Sequence, residues 1–335
     1  MAASPDNSFA STVASPPAEP VLITGATGFI GKALALRLAA LGGGLRCLVR
    51  NRTRAVSAGL PESSLVEGAL EDPGSLARAA ANARCIVHLA GATRAFTAAD
   101  FLAANAAGTA ALAAAAPNDC RFVLVSSLAA AGPSRDGDGS AAAPDRCHPC
   151  SHYGASKLAG ERALLAHRER LDWCVIRPPI VYGPADDATR LLIRQALGLL
   201  APVPFRRRPL SLIFVEDLVD LLITAMAKQG GGGFVPAEGA ERSDTHGLPR
   251  AIAEAAGRAA RLLPVPMPLV RCLGPLFDLV QRVRGKPGFL CSDKLREASA
   301  PGWVADGAPA QELFGFRART PIREGFRITL SRAGV

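Results

Sequence analysis

The chain has 335 residues, 49% of them apolar and 20% charged, so it can bury a sizeable core and is not a disordered polypeptide. A net charge of +9, mostly from arginine, suits anionic ligands such as phosphates or acidic membrane surfaces. Aromatic residues amount to only 5% and no basic run is interleaved with them, which argues against nucleic acid as a partner.

Residues 1–19 mix Ala, Ser and Pro without a basic start or a continuous apolar run, and read as a flexible tail rather than a signal peptide. From Pro20 onward, short β-like runs alternate with Ala/Leu-rich helical runs. "PVLITG" is a buried strand, "GKALALRLAALGG" a helix closed by glycines, and "LRCLVR" the next strand. "DPGSLARAAANA" opens with an acidic cap and leads to the strand "CIVHLAG". The helix "AADFLAANAAGTAALAAAA", the strand "RFVLVSS", the helix "HYGASKLAGERALLAHR" and the strand "DWCVIRP" follow. This alternation predicts an α/β fold, a doubly wound parallel (Rossmann) sheet covered by helices on both faces. The dinucleotide-binding core is expected over 20–182. The remainder, 183–335, is expected to form a smaller irregular substrate lobe interleaved with late Rossmann elements at about 210–230.

No uninterrupted apolar run reaches the ~18 residues of a membrane span. Leu262–Val283 comes closest but is broken by prolines and carries Arg271 and Asp278. Its "PMPLVRCLGPLFDLVQRV" is simplest as a packed helix of the small lobe, with a lid or a membrane-surface helix as alternatives. The eight cysteines, without an export signal, read as reduced thiols of a cytoplasmic enzyme. "CHPC" at 147–150 has no second cluster at ligand spacing and reads as a loop, so no metal is expected.

Gly25, Gly28 and Gly31 lie three residues apart between a strand and a helix. Gly25 allows a tight turn, Gly28 a close approach to a pyrophosphate, and Gly31 tight helix–strand packing, with the helix N-terminus facing the phosphates. The second strand ends "CLVRNRTR", with arginines and no carboxylate until Glu62. A guanidinium there suits a 2′-phosphate, so NADP(H) is favoured and NAD(H) remains an alternative. Arg50, nearest the strand end, is the expected contact; a solvated arginine loop is the other reading.

Tyr153 and Lys157 lie four residues apart, on one face of a helix, and Ser126 and Ser127 end a strand. Here the chain resembles the extended short-chain dehydrogenase/reductase superfamily, which includes NAD-dependent epimerases and dehydratases, 3β-hydroxysteroid dehydrogenases and dihydroflavonol reductases. The resemblance spans residues 20 to about 330. It rests on "TGATGFIG" (24–31), "VHLAG" (87–91), "NAAGT" (105–109), "VSS" with Gly132, "YGASK" (153–157), "RPPIVYGP" (177–184) and "FVEDL" (214–218), and extends to the tail "SDKLREASAPGWVAD…LFGFRARTPIREGF". It implies that Tyr153 exchanges a proton with the substrate oxygen and that Ser127 binds that oxygen. Ser127 is chosen over Ser126 because its distance to Gly132 matches the family spacing. An unperturbed tyrosine, with a pKa of ~10, is a poor base. The Lys157 ammonium is expected to lower it. The implied cofactor contacts are Gly25, Ala26, Thr27, Gly28, Phe29, Ile30 and Gly31 in the glycine loop; the Leu70 backbone; Leu89, Ala90, Gly91 and Asn105; Tyr153 and Lys157; and Pro178, Pro179 and Ile180.

Departures narrow the function. Leu128 and Ala129 stand where sugar 4,6-dehydratases carry Asp-Glu, which disfavours elimination. The apolar "LAAAG" lacks the tyrosine that many epimerases place before Gly132, and Ala69 replaces an adenine-binding Asp. Arg206, Arg207 and Arg208 suit either a diphosphate clamp or a solvated loop. The expected function is hydride transfer between a nicotinamide cofactor and a carbonyl or secondary alcohol of a sizeable, lipid-like or terpenoid small molecule. A nucleotide-sugar epimerase with tightly bound NAD is the first alternative and a non-catalytic NADP-binding sensor or assembly subunit the second. The resemblance also suggests a homodimer through the helices carrying Asn105 and Tyr153.

Overall fold

In the computed structural model, which describes residues 20–230 and 232–333, the apolar runs of the first half become β1 (Val21–Thr24), β2 (Leu45–Val49), β3 (Leu65–Glu67), β4 (Cys85–His88), β5 (Arg121–Val125) and β6 (Asp172–Arg177). The flexible-tail reading of 1–19 lies outside the described residues. Later strands are β7 (Ile180–Tyr182), β8 (Ala201–Pro204), β9 (Pro209–Phe214), β10 (Phe234–Pro236), β11 (Arg242–Asp244) and β12 (Leu262–Val265). The main sheet is parallel, in the order β10-β6-β5-β4-β1-β2-β3. β1 is flanked by β2 on one side and β4 on the other, so the strand order reverses there. A ligand crevice belongs at the carboxyl ends of β1 and β4.

Both faces of the sheet are covered because successive side chains of its central strands are apolar and point to opposite faces. Val21 and Ile23 pack with Leu34 and Leu38 of the helix Phe29–Ala40 and with Leu218 and Leu222 of the helix Val215–Ala227. Leu22, Ile86 and Leu124 point the other way, onto Leu76, Leu112 and Leu164. β10 joins this sheet from within the second half of the chain. Apart from β6 and the helix Val215–Ala227, most of that half forms the lobe: β9 pairs with β7 and β11, and β8 pairs with β12. Tyr182, Phe214, Leu248, Ile252 and Phe326 form its core.

Two sequence expectations change. The helical stretch Ala98–Ala115 is, by length and composition, apolar enough to cross a membrane, although no such stretch was expected. It packs along the helices Pro73–Ala80 and His152–Leu165, carries a buried Asn105, and contains a π-helical turn at Ala103–Ala107. The other change concerns the helix Gly274–Arg284, expected to pack its apolar residues into the lobe. It turns Gly274 and Gln281 inward and leaves Leu276, Leu279, Val280 and Val283 exposed.

Candidate active site

The glycine loop follows β1. Gly25 has φ +74°, and a Cβ there would come within 2.6 Å of the Ala90 backbone nitrogen, so only glycine lets the loop lie against the turn after β4. A Cβ on Gly31 would collide with the Gly25 carbonyl. The helix Phe29–Ala40 then starts with no side-chain cap and no acidic residue in its first turn. Its orphan N–H groups and positive dipole end therefore remain available, and the loop fits the pyrophosphate of a dinucleotide. Behind it, the Thr24 hydroxyl lies 2.6 Å from His88 Nδ1 and accepts from the Ala90 N–H at 3.2 Å. His88 Nε2 lies 3.1 Å from the Thr109 hydroxyl. Burial, then the Lys157 charge, pushes the His88 pKa down to about 3, so His88 is a neutral strut.

The loop opens onto a cleft of about 1430 Å³. Gly25, Thr27, Gly28, Phe29, Ile30 and Gly31 line it, as do Leu89, Gly91, Asn105, Ser127, Tyr153, Lys157, Pro178, Pro179 and Ile180. Ala26 is buried behind the loop, and Ala90 braces Gly25 through its backbone. Leu70 is not in the wall; its side chain packs against Gly108. The arginines after β2 separate into three roles. Arg52 is held by the Glu62 carboxylate at 3.3 Å and donates to the Leu65 and Glu62 carbonyls. Arg50 is exposed and outside the cleft wall, whereas Arg54 lines it. Of the later arginines Arg208 lines the cleft, while Arg206 and Arg207 lie outside its wall.

Asn105, in the π-helical turn, ties two segments together. It exchanges hydrogen bonds with Ala92 (2.9 and 3.0 Å) and donates to Ser156 Oγ at 2.8 Å. The π-turn puts this amide against the loop after β4 and beside the helix His152–Leu165.

Ser127 caps the short helix Leu128–Ala131, accepting from the Ala129 N–H at 3.1 Å, and its hydroxyl acts on the Tyr153 phenol. Lys157 donates to the Val125 carbonyl at 2.8 Å. Burial lowers its pKa to about 8, against the opposing pull of Glu161. Burial also pushes the Tyr153 phenol above its usual value, and the cation that opposes this is one the sequence had not singled out. Lys294 places its ammonium 4.4 Å from the Tyr153 ring centroid. It is held by Glu297 at 2.8 Å, the pair being 30% and 14% exposed.

Lys294 belongs to the helix Ser292–Ala298, which clamps the start of the helix His152–Leu165. Asp293 accepts from the His152 and Tyr153 N–H groups at 2.8 and 3.2 Å, and Ser151 donates to Glu297 at 2.5 Å. A carboxylate at a helix N-terminus is stabilising. A second anchor is Glu161, in a bidentate pair with Arg177 at 3.0 and 2.6 Å, both side chains fully buried. Ser126 donates to the same carboxylate at 2.5 Å, and Arg177 also reaches the Ser140 and Ala142 carbonyls and the Cys147 sulfur. The "CHPC" loop is thus tied to β6 through Cys147.

Residues 21–235 match the model of the NAD dependent epimerase/dehydratase family. The chain belongs to that family. Among its relatives, the ceramide reductase of Caulobacter vibrioides is 32% identical over 314 residues, covering 92% of this chain and 93% of the relative. The UDP-glucose 4-epimerase of Vibrio cholerae is 27% identical over 219 residues, 62% of each chain. The solved UDP-glucose 4-epimerase of Thermotoga maritima, with UDP-glucose, shares the fold at 20% identity and a TM-score of 0.72, covering 94% of this chain and 98% of that one. MoeE5 in complex with UDP-glucose and NAD does so at 24% identity and 0.70, over 94% and 98%. The epimerase/dehydratase family thus accounts for the sheet order and the nicotinamide-dependent character of the site.

Proposed function

We propose that the chain is a reductase that uses a nicotinamide dinucleotide, with NADPH favoured, to convert a carbonyl on a ceramide-class or similar long-chain lipid to an alcohol. The observation that carries this is the wall of the cleft beyond Ser127 and Tyr153. It continues through Ala129, Met267, Val270, Phe289 and Leu290, apolar side chains suited to a hydrocarbon tail. The identity with a ceramide reductase over nearly the whole chain supports the same substrate class.

Gly25–Gly31, Leu89–Gly91 and Pro178–Ile180 would hold the dinucleotide, and Arg54 replaces Arg50 as the group placed for a 2′-phosphate. When bound, the nicotinamide supplies the hydride. Ser127 Oγ hydrogen-bonds the carbonyl oxygen, and Tyr153 donates its phenolic proton as that oxygen becomes a hydroxyl. Lys294 eases the loss of this proton by stabilising the phenolate. Lys157, fixed on the Val125 carbonyl, presents its remaining N–H groups to the cleft. Leu128 and Ala129 stand where an acid–base pair for elimination would sit, which disfavours loss of water as the reaction.

The test is to supply purified protein with NADPH and an oxo-ceramide, and separately with UDP-glucose. Stoichiometric NADPH oxidation with the lipid is expected. Interconversion of UDP-glucose and UDP-galactose on retained NAD, with no net oxidation, would replace this reading by the epimerase one, which the Vibrio cholerae relative favours.

A further inference from the structure

The polarity of the helix Gly274–Arg284 is inverted. Asp278 accepts from the Ser292 N–H at 3.0 Å, and Gln281 accepts from the Gly288 N–H at 2.9 Å and donates to the Leu290 carbonyl. The polar stripe therefore faces the protein. On the opposite face Leu276, Leu279, Val280 and Val283 follow the i, i+3, i+4, i+7 spacing of one helical side. Leu276, Leu279 and Val283 are 55%, 58% and 81% exposed. The preceding helix, Met267–Cys272, adds an exposed Leu269, and the junction between the two adds Leu273. Phe205, just beyond the Pro204–Val265 pairing of β8 with β12, is exposed as well.

Along residues 258–291 the charges are almost all of one sign, and the carboxylates of the adjoining helix, Asp293 and Glu297, are turned to the helix His152–Leu165. Between Arg258 and Cys291 the sole carboxylate is Asp278, which is turned inward. Arg258, Arg261, Arg271, Arg282, Arg284 and Lys286 are all exposed, and among the described residues Arg271, Arg282, Arg284 and Lys286 have no ion-pair partner. An apolar helical stripe bordered by basic residues matches the interfacial zone of an anionic bilayer, where the stripe enters the acyl boundary and the cations meet the headgroups. The stripe is also continuous with the cleft, because Met267, Val270, Phe289 and Leu290 of the same segment line its wall.

We infer that residues 267–290 dock the protein on the surface of an anionic lipid leaflet, with the mouth of the cleft against the membrane. A lipid could then slide from the leaflet between Met267, Val270 and Leu290 without its chains crossing water. The inference concerns the surface and goes beyond the proposed reaction, so it is tested without substrate.

The full chain is sedimented with vesicles of phosphatidylcholine alone and of phosphatidylcholine mixed with phosphatidylglycerol. Binding to the mixed vesicles, weakened by salt and much weaker on phosphatidylcholine alone, is expected. Leu279→Glu/Val283→Glu lowers it at least tenfold. Arg282→Gln/Arg284→Gln/Lys286→Gln lowers it on the order of a hundredfold. None of these residues lines the cleft, so an unchanged NADPH titration shows that each variant is folded. Failure of the parent protein to bind mixed vesicles, or equal binding by parent and variants, overturns the inference. So does a dimer that dissociates on Leu279→Glu/Val283→Glu, which would assign the face to a second copy of the chain.

Discussion

Replacing Lys294 by Met removes the ammonium that faces the Tyr153 ring while keeping most of the side-chain volume. With the 4.4 Å to the ring centroid taken as the separation from a charge spread over the phenolate, and an effective dielectric constant of about 20, one unit charge acts on another with about 4 kcal/mol. That figure is an upper bound, because Glu297 lies 2.8 Å from the same ammonium and its opposite charge cancels much of the field at the phenol. A net loss of about 1–1.5 kcal/mol remains, equivalent to about one pH unit. The sign follows from the group that ionises. Lys294 favours the phenolate, so its removal raises the Tyr153 pKa. In alcohol oxidation, where the phenolate is the active form, the rising limb of the kcat/KM profile moves to higher pH by about one unit. In carbonyl reduction, where the phenol is the active form, the falling limb moves the same way. The assay is the pH dependence of kcat/KM for parent and Lys294→Met, with Lys294→Arg as the conservative control that retains the cation. Coincident limbs for parent and Lys294→Met, with an altered overall rate only, would refute the electrostatic reasoning and leave Lys294 as packing.

Tyr153→Phe removes the proton donor and should abolish turnover while NADPH binding, read by fluorescence titration, stays within about twofold of the parent. A function that survives this change would point to a non-catalytic role. Arg54→Ala should weaken NADPH at least tenfold and leave NADH nearly unchanged, because a charge-assisted hydrogen bond contributes about 1.5–3 kcal/mol; Arg50→Ala should do neither. Glu161→Gln strands the buried Arg177 guanidinium and should cost about 3–5 kcal/mol in denaturant unfolding, whereas Glu161→Met/Arg177→Met should recover much of that loss.

Most of the main sheet was legible because its strands are short apolar runs bounded by glycines or caps: β1, β2, β4, β5 and β6 fall where those runs lie, whereas the three-residue edge strands β3 and β10 are too short to stand out. The glycine loop and the spacing of Tyr153 and Lys157 were legible for a similar reason: each is a relation within one element. Residues that meet across the fold left no such mark. Lys294 and Asp293 sit in an unremarkable charged helix, and nothing local says that it ends on Tyr153. Nothing local pairs Glu161 with Arg177 until the helix and β6 are packed together. Proximity to the strand end favoured Arg50, which lies outside the cleft wall; the helix Arg52–Ser57 brings Arg54 to that wall instead, a direction the strand end does not reveal. In Gly274–Arg284 an apolar helical stretch was taken to pack inward, and only the contacts of Asp278 and Gln281 show that its polar side does so instead.

The clamp formed by the helix Ser292–Ala298 also bears on synthesis. All the strands of the central sheet, and Ser127, Tyr153 and Lys157 with them, leave the ribosome before Asp293, Lys294 and Glu297 do. Until they do, Tyr153 lacks the second cation and the helix His152–Leu165 lacks the carboxylate at its N-terminus, while Ala310 and Leu313, made later still, complete the core beneath the sheet. The groups that set the charge around Tyr153 therefore join the site from a segment made well after the tyrosine itself.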